Sequence, residues 1–494
     1  MGPVRLIGRR CGRFVMALLL AAVAVAITSG PGHAQTVEPV PDIRIAPPGA
    51  APGDVLGAAL AASGDLLAVG LRGSDASGTN AGAVMLFRRT GQVFEASGIV
   101  VPGLVPGDEF GTCVALSNEW VLGGAPRRGV SGAAFVAPIN GDLTTGTELR
   151  DVAAVPGAAV GASLAAGDGW VAVGAPNDAS GHVALSGSVR IHRRSGASWE
   201  VGERLALDLP VAAARFGSAL AADGDWLAVG APGLDGGRVF LCRVTLREVE
   251  LVQVLSPIGI GTASWFGASV AIGAGRVVVG APYSDLAAVD AGAAIEYVLH
   301  PAGAVMTRIL IPSLPCEGGN FGHSVAAGTD ATIVGAPGAV SDGQRVGCAD
   351  VFVPGTDSAL ARLVPDGDAT SLLAGTDVAV MGALAMVGIP GSSAGRGEVI
   401  ALDLLRDCDR NGLPDAVDVA SGRAVDADLD GVSDSCECPT DLDASGTTDG
   451  ADLGLLLGAW GRSEGDRADL DFDGFVSGAD LGLLLGAWGA CLAP

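Results

Sequence analysis

The chain has 494 residues, 49% of them hydrophobic, with 77 Gly and only 4% aromatic residues. That is enough apolar surface for a large core, and so much glycine suits many short strands and tight turns better than long packed helices. The formal charge is −25 and the sequence contains no lysine, so all 29 basic residues are Arg; this balance argues against nucleic acid as a partner.

At the N-terminus, "MGPVRLIGRRCGR" is basic and "FVMALLLAAVAVAITSG" is apolar and uncharged, followed by the small residues Gly32 and Ala34 around His33. Residues 1–34 therefore read as a secretory signal peptide cut after Ala34. No other stretch is long and apolar enough to span a bilayer. The expected location is secreted, extracellular or cell-surface, with no membrane span after signal cleavage. Eight cysteines lie beyond the signal, at 113, 242, 316, 348, 408, 436, 438 and 491. In an oxidising compartment disulfides are the default reading.

One phrase then recurs along the chain. The clearest copies are "FGTCVALSNEWVLGGAP" from Phe110, "VGASLAAGDGWVAVGAP" from Val160, "FGSALAADGDWLAVGAP" from Phe216, "FGASVAIGAGRVVVGAP" from Phe266 and "FGHSVAAGTDATIVGAP" from Phe321. Degenerate copies start at Leu56 and Ala374. The first Gly of each copy (57, 111, 161, 217, 267, 322, 375) precedes the second (70, 124, 174, 230, 280, 335, 388) by 13 residues every time, and copies recur every 50 to 56 residues. Such a period marks a repeat architecture. Within a copy, two short apolar runs flank a Gly-Asp type turn and form a hairpin. A third strand follows, such as 187–194 or 237–244, and a fourth precedes the next copy, such as 199–207. Four antiparallel strands repeated seven times describe a β-propeller. The seventh copy has a third strand at 397–405 but no fourth. An orphan fourth strand around Ile43–Ile45 is expected to complete it, since an unpaired edge would otherwise be exposed.

The Phe-Gly opening and Gly-Ala-Pro close resemble FG-GAP repeats, the units of the integrin α-chain propeller and of many bacterial secreted proteins. The resemblance spans roughly residues 43–405. Calcium-binding integrin blades carry an Asp-rich loop between the two elements, and the 13-residue gap leaves no room for it. Asp65, Asp168 and Asp225 are accordingly read as hairpin-turn residues. Cys316 precedes the sixth Phe-Gly and Cys348 opens the third strand of the same blade, so these two are expected to pair. Cys113 and Cys242 fall in different blades and are expected to be free thiols.

The tail from Asp407 onward holds 17 Asp, two Glu and four Arg, a net −15. "DLDASGTTDGAD" places Asp441, Asp443, Ser445, Asp449 and Asp452 at positions 1, 3, 5, 9 and 12, with Gly446 at 6. A second copy, 28 residues later, places Asp469, Asp471, Asp473, Ser477 and Asp480 likewise, with Gly474 at 6. This is the EF-hand order of oxygen ligands, and clustered short carboxylates suit Ca²⁺, a hard cation that takes six to eight oxygens. Leu453, Leu456, Leu457 and Trp460 then recur at helical spacing. Helices over 453–460 and 481–488 are expected to pack Trp460 and Trp488 into a shared core. A loop and exiting helix without an entering helix resembles the dockerin repeat, which implies a cohesin-like module as partner. Two earlier loops keep the same register: Asp407, Asp409, Asn411, Asp415 and Asp418, then Asp426, Asp428, Asp430, Asp434 and Glu437. They resemble thrombospondin type 3-like calcium repeats. A disulfide is expected between Cys408 and Cys436 or Cys438, with Cys491 taking the remaining tail partner.

Catalysis finds little support. Ser393 in "GSSAG" matches a nucleophile elbow by pattern alone and lacks the following helix. His323 reads as a structural strand residue. No catalytic or organic-cofactor site is expected. The expected fold class is an all-β seven-bladed β-propeller over 35–405, then calcium loops over 406–438 and a small dockerin-like α tail over 439–494. The expected function is a secreted or cell-surface, non-enzymatic Ca²⁺-binding protein, with the propeller as a binding or adhesion module for an extracellular protein or polysaccharide. The alternative is a dockerin-bearing component of a polysaccharide-degrading assembly; a glycan-cleaving propeller ranks third.

Overall fold

In the computed structural model the chain forms two compact units, one containing residues 43–402 and the other residues 39–42 and 403–494. The structure describes residues 38–39, 41, 43–46, 49–180, 182–196, 198–245, 247–365, 372–406, 413–424, 440–442, 447–461, 468–471 and 473–490. The expected signal peptide lies outside them. No helix among the described residues is long and apolar enough to cross a membrane.

The first unit is a seven-bladed β-propeller: seven four-stranded sheets, each an antiparallel meander. The third blade, for example, runs Ser163–Gly167, Trp170–Ala175, Ser188–Ser195 and Ser198–Leu205. The first strand of each blade touches the first strand of the next, and Leu60–Ser63 of the first blade touches Val378–Met381 of the seventh. The ring is thus closed, with the first strands innermost. Second strands such as Trp226–Ala231 are buried at every position because neighbouring blades cover both faces, whereas fourth strands such as Val93–Val100 are largely exposed. Asp65, Asp168 and Asp225 lie in the turns between first and second strands, as expected.

The orphan strand completes the seventh blade. Ile43–Ile45 runs antiparallel to Glu398–Asp403, with Ile43 opposite Ala401 and Ile45 opposite Val399. Ile43 and Ile45 are buried and Arg44 between them is exposed, the alternation expected of a strand with one covered face.

The constant 13-residue spacing has a direct cause. Within blades two to seven the first Gly donates its N–H to the carbonyl of the second, at 2.9–3.1 Å. All seven first glycines have φ between +78° and +88°, a region open mainly to glycine. The second Gly of each blade lies against the carbonyl of the first Gly of the next, from Gly70 on Gly111 round to Gly388 on Gly57; a Cβ there would overlap that oxygen. The Phe beside the first Gly enters the core shared with the preceding blade: Phe110, Phe216, Phe266 and Phe321 are all fully buried.

Side chains two residues beyond the first Gly stitch the same seams. Ser163, Ser269 and Ser324 donate hydroxyls to the carbonyls of Gly217, Gly322 and Gly375 in the following blades, at 2.7–2.9 Å. In the seventh blade this position is Asp377, whose carboxylate accepts the N–H of Leu60 in the first blade at 2.7 Å. Burial pushes the Asp377 carboxyl up to about 7, against the lowering effect of the Leu60 and Val378 N–H groups.

Cys113, Cys242, Cys316 and Cys348 are all free thiols. Cys113 and Cys242, expected as buried free thiols, are both free, with Cys242 buried and Cys113 half-buried, and the expected Cys316–Cys348 pairing is corrected. The two sulfurs share one core cluster without reaching bonding distance. Cys316 is held in its own turn, its carbonyl accepting the Gly319 N–H at 3.1 Å. Burial, and then the charge of Asp350, push the Cys348 thiol well above its usual range, which suppresses the reactive thiolate. Cys408, Cys436, Cys438 and Cys491 lie outside the described residues.

Two measurements test the ring seam. Deleting residues 35–50 removes a strand from the seventh blade and should lower the melting temperature far more than an ordinary terminal truncation; melting within a degree or two of the full chain, on the order of measurement error, would refute the closure. The second concerns pH. Asp377 titrates near 3.8 ordinarily and about 7 when folded, so the folded chain holds the extra proton and loses stability as pH rises from about 4 to about 7. Asp377→Asn should therefore melt several degrees above wild type at pH 8, with the difference shrinking toward pH 4. A difference independent of pH would exclude titration of this carboxyl as its source.

Candidate metal centre

The second unit holds the repeated loops. Helices form at Gly450–Gly458 and Gly478–Gly486, in identical positions of the two copies. Loop positions 9 and 12 become the N-cap and third residue of each helix. Asp449 caps the first, Asp452 returns a bond to the Asp449 N–H, and Ser477 and Asp480 repeat this capping box. The Asp452 carboxylate also accepts from Leu442 N–H at 2.7 Å. Asp480 accepts from Leu470 at 2.7 Å and from Asp471 at 3.2 Å. Both carboxylates are fully buried. Burial alone would raise the Asp480 carboxyl, but its backbone donors outweigh that and hold it below its usual range.

The second loop gathers the rest of its acids. Carboxylate oxygens of Asp469, Asp471 and Asp473 lie within 4.8 Å of one another. Asp469 is buried; its Oδ2 accepts the Gly474 N–H at 2.9 Å, whereas its Oδ1 has no hydrogen-bond partner among the described residues. Gly474 has φ +91°, the turn expected at position 6. Partial desolvation and then the charges of Asp473, Asp480 and Asp469 raise the Asp471 carboxyl, against the lowering effect of the Asp473 N–H. The donor set is all oxygen, crowded with like charge and short of one proton donor, so it fits a hard divalent cation.

In the first loop, Asp441 is buried and Asp449 and Asp452 serve the helix start; Asp443 and Ser445 lie outside the described residues. Of the two earlier loops, Asp415 and Asp418 are described. Both are buried in a short helix, Asp415–Ala420, with Arg406 3.9 Å from Asp415 and Arg423 3.9 Å from Asp418. Asp407, Asp409, Asn411, Asp426, Asp428, Asp430, Asp434 and Glu437 are outside the described residues. The structure thus brings together three of the expected ligands, with Asp480 packed behind them.

The shared Trp core is not formed. Leu456 and Leu484 are fully buried with Ala459, Ala468, Leu470 and Val476, while Trp460 and Trp488 are 48% and 50% exposed. Each helix ends at Gly458 or Gly486, so the Trp two residues later leaves the helical phase that would have pointed it inward.

In the propeller, Ser393 sits in a left-handed turn at φ 51°, and the neighbouring Ser392 hydroxyl donates to Glu398 at 2.8 Å. His323 Nδ1 lies 3.1 Å from the Thr376 carbonyl of the next blade. One feature escapes the sequence pattern entirely. The residue before each Phe-Gly element (Val55, Glu109, Ala159, Arg215, Trp265, Asn320 and Leu373) has φ between 51° and 60°. Only at Asn320 does the residue type hint at this conformation.

Residues 42–87 match the family model described as FG-GAP repeat. The propeller is built of FG-GAP repeats. The match takes in the closing strand Ile43–Ile45 and the first blade up to Phe87 in its third strand, and the remaining six blades of the FG-GAP propeller repeat the same glycine geometry. A comparison with curated proteins returns no match.

Capping and metal binding are separable by mutation. Asp480→Ala should destabilise the tail by about 1 kcal/mol, the usual loss for a helix-start contact, even in excess chelator. Asp471→Ala, which caps nothing, should leave the chelated protein unchanged. Hydrogen exchange over 468–490 in the full chain is the readout; equal effects of the two substitutions in chelator would contradict this division.

Proposed function

We propose that this is a secreted or cell-surface, non-enzymatic Ca²⁺-binding protein whose FG-GAP propeller is a binding module and whose acidic tail is stiffened by calcium. The observation that supports calcium most is the buried, unpartnered Asp469 Oδ1 among the carboxylates of Asp471 and Asp473. A buried acceptor without a partner is destabilising by about 1–3 kcal/mol or more, and three carboxylates this close repel one another. A divalent cation removes both penalties. The propeller supports a binding role by its construction: the seams are made of backbone and small residues, which leaves the loops free to vary, and binding groups are commonly carried on loops of a rigid scaffold.

A second reading, a dockerin-bearing component of an extracellular polysaccharide-degrading assembly, draws on the tail surface. Leu457 and Trp460 are about half exposed, and Leu485 and Trp488, 28 residues on, match them. Each repeat therefore offers the same apolar set to a partner such as a cohesin-like module.

Calorimetric titration of the full chain with Ca²⁺ should show saturable binding that is lost or much weakened in the Asp469→Asn/Asp471→Asn variant. Calcium should also slow hydrogen exchange in the tail and leave the propeller unchanged. Absence of binding, or binding indifferent to the double substitution, would overturn the assignment of this centre. A cohesin panel, with Leu457→Asp and Leu485→Asp as controls, tests the second reading.

A further inference from the structure

The two faces of the propeller differ in chemistry. On one face lie the turns joining first to second and third to fourth strands. Its side chains pair as ions across these turns: Arg88 with Asp65, Arg243 with Asp225, and Arg194 with Glu119. Among the described residues, the large apolar side chains exposed at these turns and the adjoining strand ends are scattered singly, as at Val93 and Leu405. The other face carries the loops that follow Gly-Ala-Pro and precede Phe-Gly. Around the fourth and fifth blades these loops expose Ile258, Trp265, Tyr283, Leu286 and Val289, each by 40% or more.

Trp265 is the anomaly at the centre. It occupies the strained position before Phe-Gly, at φ 55°. A bulky side chain pays for that conformation (roughly 1–3 kcal/mol), and burial does not compensate, since Trp265 is 41% exposed. The ring meets Tyr283 edge to face at 5.3 Å. Arg215, in the same position of the preceding blade, places its guanidinium 5.7 Å from the Trp265 ring centroid. Most arginines of the propeller are ion-paired, but no carboxylate among the described residues pairs with Arg215. The backbone conformation is common to this position in all seven blades, but an exposed aromatic pair beside a cation that no described carboxylate pairs, on a chain of net charge −25, has no account in the fold.

We infer that this patch docks a protein segment carrying a carboxylate between apolar side chains, the acid meeting Arg215 and the apolar groups meeting Trp265, Tyr283 and their aliphatic surround. Trp, Tyr and Arg are the residues enriched at interface hot spots. The aliphatic surround of Ile258, Leu286 and Val289 favours a protein over a glycan, whose hydroxyls would need polar partners there. The inference rests on the reading of the propeller as a binding module and assigns that module its surface and partner class.

The test is panning of a random peptide library on the calcium-loaded full chain, with a glycan array in parallel. Enriched peptides should share Asp or Glu flanked by aliphatic or aromatic residues. Arg215→Glu and Trp265→Asn should each weaken a selected peptide by at least about tenfold, the loss of one hot-spot contact. Asn is the native residue at this position in the sixth blade, so Trp265→Asn should keep the fold, checked by an unchanged melting temperature. Arg88→Glu, on the opposite face, should leave binding intact. A peptide that binds but ignores Arg215→Glu and Trp265→Asn overturns this surface and leaves the binding-module reading standing. So does a glycan whose binding Trp265→Asn abolishes, because it replaces the partner class. No enrichment of peptide or glycan overturns both.

Discussion

The close approach of neighbouring blades at paired glycines is the constraint on which the propeller depends. Two backbones touch where the second Gly of one blade meets the carbonyl of the first Gly of the next. A methyl group at any second Gly would push adjacent sheets apart, and the displacement would propagate around a closed ring. The Phe side chains that enter the shared cores of four blades and the Ser hydroxyls that cross three of the seams act within that spacing. Sheets packed face to face normally leave room for side chains from both; at the second glycines of this ring there is room for none.

The propeller divides its construction between an inner ring and the strands and loops outside it. Backbone and small residues hold the inner ring, while apolar strands fill the space between blades further out. The loops vary in length, so that copies recur every 50 to 56 residues, and they send single side chains such as Leu104, Leu234 and Ile260 into the core. The fold also holds one side chain per blade in a left-handed conformation at the loop end. Glycine would fit there without strain, yet all seven positions carry a side chain. A position that the backbone presents identically in each blade, filled with seven different residues, is a natural place for sequence to specify a partner.

The tail follows other physics. Its carboxylates divide between two tasks that share one register. Positions 9 and 12 start the helices, so the loop is partly organised by hydrogen bonds to its own backbone. Positions 1, 3 and 5 of the second loop converge with too few donors to satisfy them. The first group organises the loop, and the second crowds like charge beside a buried acceptor. The core beneath is small, built on one buried Leu from each helix and the Ala, Leu and Val around them.

Repetition made much of this legible from sequence. Seven copies in register, a constant glycine spacing and a missing last strand specify blade number, hairpin order and the closure by Ile43–Ile45, because backbone hydrogen bonding and glycine conformations are local and must recur wherever the blade recurs. The common register of the two acidic loops before the tail helices is legible for the same reason. What the tertiary structure alone decided concerns single side chains without a repeat to echo them. Cys316 and Cys348 share a cluster yet remain thiols, Trp460 and Trp488 leave the helix phase and turn outward, Asp377 buries a carboxyl at a seam position that is Ser in three other blades, and Trp265 stands strained and exposed beside Arg215. Each depends on neighbours contributed by distant parts of the chain, and that information enters only once the blades are packed.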